Sequence, residues 1–211
     1  MPTGKSQIIP FRREGDFTSG INEARDVLLS GGVVAFPTES FYGLAVNPMD
    51  EQAIGRLFSV KKREPDQPIL LLIPLMISLD LYAAEIPEIA RTLIKRFWPG
   101  GLTLLFKAMP CVSPKLTAGT GKIGLRLSGH TLATALAGSI NSPITGTSAN
   151  VSGHPACRTA MEVYDYFKEG VLILDAGETA GGRGSTILDV SVTPPRIVRE
   201  GMITIEELGL K

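Results

Sequence analysis

The sequence predicts an α/β protein: one domain with a mixed or mostly parallel sheet covered by helices. Three observations lead there. Apolar stretches of two different periods, short buried runs and 3.6-residue stripes, alternate along the chain. The 211 residues are 44% hydrophobic and 20% charged, enough apolar material for one sizeable packed core. No internal repeat, low-complexity tract or long linker divides the chain, so residues 1–211 read as a single domain.

The elements run in chain order. Thr18 to Ser30 reads as a helix with Ile21, Ala24, Val27 and Leu28 on one face, ended by Gly31-Gly32. Val33 to Phe36 is a short buried strand stopped at Pro37. Asp50 caps a second helix that groups Ile54, Leu57 and Phe58 and ends near Lys61. Ile69 to Ile73 is a continuous apolar strand. Pro87 opens a third helix with Ile89, Leu93, Ile94 and Phe97 inward, stopped by Trp98-Pro-Gly-Gly101. Leu102 to Lys107 and Ile123 to Leu127 are strands, Thr131 to Ile140 a small-residue helix, and Ile144 begins another strand. Thr159 to Lys168 is helical and Val171 to Leu174 extended; Thr186 to Val190 and Arg196 to Arg199 are late strands. Sheets of this kind bind ligands in crevices at strand ends, where the loops fall.

Charge and composition exclude several functions. Lys plus Arg and Asp plus Glu are equal at 21 each, which argues against whole-surface attraction to nucleic acid or anionic membrane but permits a local basic cleft. Cys111 and Cys157 are too few for a disulfide framework. The opening Met-Pro-Thr-Gly-Lys-Ser-Gln lacks an apolar signal core and no apolar run reaches membrane-spanning length, so the expectation is a soluble, cytoplasmic protein. Gly119, Gly121 and Gly124 match a dinucleotide-binding glycine pattern but lead into a strand, the reverse of the required context. Gly121-Lys122 lacks the hydroxyl residue of a phosphate-binding P-loop, since Ile123 comes next. Neither His130 nor His154 lies at metal-ligand spacing from a cysteine or carboxylate, so no protein-held metal is expected. His154 reads as a plain surface residue.

Four segments carry the functional signal. Lys61-Lys-Arg63 places three cations at a helix end, where the helix dipole alone would favour them. The adjoining Glu-Pro-Asp-Gln-Pro68 forces an extended path into a buried strand, so the cations stand at the mouth of a sheet, well placed for phosphate. Ser148-Ala-Asn150-Val-Ser-Gly153 follows an apolar run with small hydroxyl, amide and glycine residues, which either make a turn or present backbone to a ligand. Gly177 to Thr186 carries four glycines, Arg183 and two late hydroxyls before a strand; it is a flexible connection or an anion nest assisted by Arg183 or Ser185. Pro37-Thr-Glu-Ser-Phe-Tyr42 comes after the first core strand with hydroxyls at Thr38 and Ser40.

In combination with Phe36-Pro-Thr-Glu-Ser-Phe-Tyr-Gly-Leu44, Trp98-Pro-Gly-Gly-Leu-Thr103, Gly124-Leu-Arg126, Ser185-Thr-Ile-Leu-Asp189 and Val198-Arg-Glu-Gly201, these segments resemble the YrdC-like family of threonylcarbamoyl-AMP synthases from about Gly20 to Gly201. The resemblance is to the short single-domain form. It implies a twisted open α/β sheet with a large concave cleft. It also implies synthesis of L-threonylcarbamoyl-AMP and pyrophosphate from L-threonine, bicarbonate or CO2, and ATP. Partner enzymes then pass the threonylcarbamoyl group to an adenosine of tRNA, giving N6-threonylcarbamoyladenosine. By the same resemblance Lys61 and Arg63 neutralise the triphosphate and are catalytic. Ser148, Asn150 and Arg199 contact the nucleotide, and Thr38, Ser40, Arg126 and Ser185 lie near threonine. Magnesium arrives with ATP, since no carboxylate cluster is evident. Ser40 stands where the family pattern has threonine, and Leu72 stands where longer relatives have histidine and reads as a core leucine. Lys61 and Arg63 are both expected near the cleft surface, so that alanine there leaves the fold intact.

Two other readings are open to the sequence. One is a non-catalytic RNA-binding or regulatory module of the same fold, with RNA or tRNA in the cleft; the other is a carbamoyl-adenylate enzyme using another amine. Retention of the Lys61, Arg63, Ser148, Asn150 and Arg199 set favours the synthase, because an RNA binder needs charge but not the Ser-x-Asn spacing.

Overall fold

A computed structural model of the protein describes residues 4–11 and 16–210. The strands are β1 (Gln7–Pro10), β2 (Val33–Pro37), β3 (Tyr42–Ala45), β4 (Leu70–Leu72), β5 (Leu102–Lys107), β6 (Lys122–Arg126), β7 (Ile144–Ser148), β8 (Val171–Asp175), β9 (Thr186–Asp189) and β10 (Arg196–Arg199). They form one ten-stranded sheet in the order β1-β8-β2-β3-β7-β4-β6-β5-β9-β10. Five neighbouring pairs are antiparallel and four parallel, so the sheet is mixed rather than mostly parallel. The excess of antiparallel pairs arises largely from β3, which the sequence pattern does not reveal. Four residues, Thr38 to Phe41, turn the chain back on β2, the Thr38 N–H closing the turn on the Phe41 carbonyl at 3.1 Å. Strand β1 is likewise absent from the sequence pattern, as are the short helices α3 (Leu79–Tyr82), α5 (Pro114–Thr117) and α8 (Ile205–Leu208). Elements of four residues are too short to show a hydrophobic period.

The other helices are α1 (Asp16–Leu29), α2 (Glu51–Lys61), α4 (Glu88–Phe97), α6 (Thr131–Ser139) and α7 (Ala160–Tyr166). Successive residues of a strand point to opposite faces, and the core divides accordingly. Ala35, Leu44, Leu71 and Leu125 lie in one cluster with Ile54 and Leu57 of α2 and Leu93 of α4. Val34, Phe36, Leu72 and Ile144 face the other way, against Ile21, Ala24 and Leu28 of α1 and Leu132 and Leu136 of α6. On this second face α1 and α6 cover only part of the sheet. Beyond them, across β4, β6, β5, β9 and β10, the face is open and becomes the floor of a large cavity. No helix among the described residues is long and apolar enough to cross a membrane.

The end of α2 sets the path of the next segment. Asp50 caps the start of this helix, accepting from the N–H groups of Gln52 at 2.8 Å and Ala53 at 3.1 Å, a contact of the kind that contributes about 1 kcal/mol. At the other end Lys62 adopts the left-handed conformation (φ 50°, ψ 45°), and the Arg63 N–H returns to the Phe58 carbonyl at 3.0 Å. This reversal sends three consecutive cations in three directions. Glycine occupies such a position without the clash between Cβ and backbone. Lys62→Gly is therefore expected to raise the unfolding free energy by up to about 1 kcal/mol in urea titration; a loss of stability would contradict this account of the helix end.

Candidate functional site

The cavity encloses about 570 Å³, within the range of small-molecule sites. Its floor obeys the two-residue period of the strands: Leu70 and Leu72 on β4, Lys122, Gly124 and Arg126 on β6, Thr103 and Leu105 on β5, Ile187 and Asp189 on β9. Glycine keeps the floor low. A Cβ on Gly146 would lie 2.6 Å from a methyl of Leu70. Strand β7 joins the halves of the sheet by pairing its first part with β4 and its last with β3, the latter through Gly43↔Ser148 and Leu44↔Thr147.

Of the nine residues singled out from sequence, seven line this cavity: Thr38, Ser40, Arg63, Arg126, Ser148, Ser185 and Arg199. Lys61 and Asn150 do not. Contrary to the expectation of a surface position, Lys61 is 1% exposed. Its ammonium lies beneath the loop after β7, donating to the Ser148 carbonyl at 2.5 Å and the Asn150 carbonyl at 2.8 Å. Alanine at Lys61 would therefore strip the buried Asn150 carbonyl of its donor and leave the Ser148 carbonyl only the Asn150 N–H at 3.0 Å, and an undisturbed fold is no longer the expectation. Asn150, also buried, braces the same loop. Its amide donates to the carbonyls of Val151 (3.0 Å) and His154 (2.7 Å), and its Oδ1 accepts from the Ser148 hydroxyl. Ser148 itself is exposed to the cavity. The Ser-x-Asn spacing thus joins a ligand-facing hydroxyl to its own brace. His154 is exposed and stacks edge-on against Tyr166, as a surface residue.

Arg63 reaches the cavity tethered only by carbonyls, those of Gln67 (3.2 Å) and Pro68 (2.8 Å). Arg126 is nearly buried. Its Nε donates to the Gly100 carbonyl at 2.7 Å, and Nη2 meets Glu39 as an ion-pair contact rather than a straight hydrogen bond. Glu39 in turn accepts from the Ser128 hydroxyl at 3.1 Å and the Gly129 N–H at 2.7 Å. Burial alone would raise the Glu39 carboxyl, but the Arg126 charge and the backbone N–H groups of Glu39 and Gly129 help outweigh it and hold the group below its usual range. The turn carrying Thr38 and Ser40 is thereby fastened to the loop after β6. Thr38 commits its hydroxyl to the Phe41 carbonyl at 2.7 Å.

Ser185 receives a hydrogen bond from the Thr103 hydroxyl at 2.9 Å, and its carbonyl accepts from Arg199 Nη2 at 2.8 Å. Close backbone packing positions the pair. A Cβ on Gly201 would overlap the Gly184 carbonyl oxygen, so only glycine fits there. The Gly201 and Ile203 N–H groups both donate to the Thr186 hydroxyl at 2.9 Å. Arg183 does not assist an anion site; it pairs with Glu200 at the surface, 2.9 Å away.

Three further cavity residues are given no role by the sequence motifs, although Asp189 closes one of them. Lys122 Nζ lies 2.7 Å from Asp189 Oδ2, while Asp189 Oδ1 accepts from the Ser191 N–H and hydroxyl. Arg196 lines the cavity beside them. Alternation along Lys122-Ile-Gly124-Leu-Arg126 was the available signal, since it puts the two cations and the glycine on one face. In all, five cationic side chains line the cavity, against Asp189 as the one carboxylate among the described residues. Arg63, Arg196 and Arg199 have no carboxylate partner among those residues.

A family model described as telomere recombination, covering the Sua5, YciO and YrdC proteins, matches residues 26–201. The chain belongs to this family. Among curated members it is similar to the threonylcarbamoyl-AMP synthases of Pyrococcus abyssi, at 39% identity over 89% of this chain and 56% of that protein, and of Bacillus subtilis, at 38% over 89% and 55%. It therefore spans about half the length of these relatives. The crystal structure of P. abyssi Sua5 complexed with L-threonine superposes with a TM-score of 0.88 at 36% identity, covering 97% of this chain and 60% of that one. The Sua5/YciO/YrdC fold is thus shared across nearly the whole chain, as the sequence resemblance implied.

Within this family fold, the Lys61 site has an unusual electrostatic balance. Taking an ammonium out of water costs several kcal/mol, and two charge-assisted hydrogen bonds return about 1.5–3 kcal/mol each. Desolvation outweighs what the positive charge adds to those bonds. Burial first, and the Arg63 charge second, draw Lys61 down from 10.5 to about 7. Between those values the unfolded chain retains a proton that the folded protein has lost, so stability rises with pH across that window. Urea unfolding at pH 7.5 and 9.5 should show wild type gaining about 2 kcal/mol relative to Lys61→Met. Identical pH dependence in the two proteins would refute the assignment.

Proposed function

We propose that the protein is an L-threonylcarbamoyl-AMP synthase serving threonylcarbamoyl modification of tRNA. The observation that carries this reading is one concave site holding three arginines without carboxylate partners, Arg63, Arg196 and Arg199, around the ligand-facing Ser148. That is a receptor for a compact polyanion. The synthase names of the curated relatives and the L-threonine in the P. abyssi complex supply the chemical class.

The chemistry suits such a site. The threonine amine adds to CO2, losing a proton, to give a carbamate. A carbamate oxygen then forms a bond to the α-phosphorus of ATP while the bond to the β-phosphate bridge breaks and pyrophosphate leaves, a nucleotidyl transfer. Bringing one anion to another requires fixed cations, and orienting them beforehand removes the reorganisation that water would impose. Arg63, held by two carbonyls and with no carboxylate in ion-pair contact, offers the triphosphate a two-point contact. Lys61 acts one layer deeper, as a positioning residue that sets the Ser148 loop. Arg126, fixed by Glu39 and Gly100, and the Thr38–Ser40 turn form the wall proposed to take threonine, with Ser185 and Arg199 completing it toward the nucleotide. Magnesium would be held mainly by phosphate oxygens, because Asp189 is already engaged by Lys122 and Ser191. A cytoplasmic setting, downstream transfer enzymes and contact with tRNA belong to the same proposal.

Pyrophosphate release with ATP and magnesium should require both L-threonine and bicarbonate and yield a threonine-containing adenylate. Arg63→Ala should retain the wild-type melting temperature and lose at least about a hundredfold in kcat/KM, the scale of one or two lost charge-assisted contacts. Folded protein that releases no pyrophosphate would move the reading to a binding module. Undiminished turnover in the variant would remove Arg63 from the site.

A further inference from the structure

We propose that Lys122, Asp189 and Arg196 form a polyphosphate-binding arm of the cavity, the place where the β- and γ-phosphates sit before leaving as pyrophosphate. This rests on the nucleotide reading above and deepens it, because none of the three residues belongs to the site drawn from sequence.

Register places the arm. Strands β4 and β6 are parallel with Leu71 opposite Leu125, so continuing the ladder brings Pro68 level with Lys122. Strand β7 runs antiparallel to β4 with Gly146 opposite Leu70, which brings Ser148 to the same level. Arg63 is tethered to the Pro68 carbonyl at 2.8 Å. Ser148, Arg63 and Lys122 therefore mark one line across three adjacent strands, about 10 Å wide at two interstrand spacings. Across β5, Leu105 pairs with Gly124 on one side and Asp189 on the other, so Asp189 stands two residues off that line on the same face and meets Lys122 through its side chain at 2.7 Å.

Charge distribution supplies the second argument. Asp189 and Arg196 are cross-strand partners in the β9–β10 pair, and opposite charges in that relation ordinarily pair with each other. Here the carboxylate is bonded instead to Lys122 at 2.7 Å and to Ser191. Arg196 has no hydrogen-bond or ion-pair partner among the described residues, although it lines the cavity. Two cations thus stand beside one carboxylate that pairs with only one of them, and the arm keeps one positive charge in excess. An incoming phosphate can draw Lys122 from Asp189 while Arg196, its side chain uncommitted, takes up either the carboxylate or a second phosphate oxygen. The floor beside them is apolar, Leu105, Ile187 and Val198, so these charges act with little competition from other protein groups.

Calorimetric titration of the apo protein with inorganic tripolyphosphate, and separately with AMP, tests the arm at constant salt. Lys122→Met and Arg196→Met should each weaken tripolyphosphate by about tenfold or more while leaving AMP within about twofold. Lys107→Met, which removes an exposed cation paired with Glu85 outside the cavity, should change neither. Equal losses for AMP and tripolyphosphate would overturn the proposal by placing these residues at the nucleoside. Unchanged tripolyphosphate affinity, or an equal loss in Lys107→Met, would overturn it as well. Arg196→Met has no native contact to lose, so the test survives any misfolding of Lys122→Met. If tripolyphosphate binding depends on both residues yet pyrophosphate release never requires threonine, the arm stands and the synthase reading falls.

Discussion

A single buried ammonium organises the phosphate side of the cavity. Lys61 leaves the last turn of α2, passes under the sheet connection and ends on two carbonyls of the loop after β7. Those carbonyls belong to Ser148 and Asn150, and between them the chain turns outward to expose the Ser148 hydroxyl. Without a donor at that point the Asn150 carbonyl would be buried and unpaired, a cost of about 1–3 kcal/mol, and the Ser148 carbonyl would keep only the Asn150 N–H at 3.0 Å. Helix α2 and strand β7 are far apart in sequence, so the contact also fixes Arg63, two residues on, relative to Ser148.

The same arrangement recurs on the threonine side, where a carboxylate takes the organising part. Glu39 stands between the two hydroxyl residues Thr38 and Ser40 but turns toward Arg126, Ser128 and Gly129. The hydroxyl residues and the arginine belong to different parts of the sheet, and the carboxylate makes them one wall. In both places the sequence motif mixes residues that face the cavity with residues that hold those residues.

That mixture explains how much of the molecule is legible in its sequence. The long elements are legible because their apolar periods survive in the folded core: Ile54 and Leu57 of α2 and the run from Ile69 to Ile73 are buried as the pattern requires. Strand β3 is not, since its four residues come after a tight turn and take their extended form from partners on both sides. Most of the candidate site is visible as short motifs, but Lys61 and Asn150 read as ligand contacts because residue type and spacing carry no information about burial. Lys122 and Arg196 stay hidden for the opposite reason: solvated cations are common, and only the fold shows that both stand beside Asp189.

The near contact of Gly201 with Gly184 has a mechanical consequence. Backbone touches backbone there, and the Thr186 hydroxyl binds both Gly201 and Ile203. Ser185 directly follows one glycine and Arg199 precedes the other by two residues, so the pair is riveted into one body. In the loop after β8 the glycines with positive φ, Gly177, Gly181 and Gly182, lie upstream of this rivet. Any swing of that loop must pivot before Gly184. The path of residues 177–182 is therefore decoupled from the spacing of Ser185 and Arg199 at the floor.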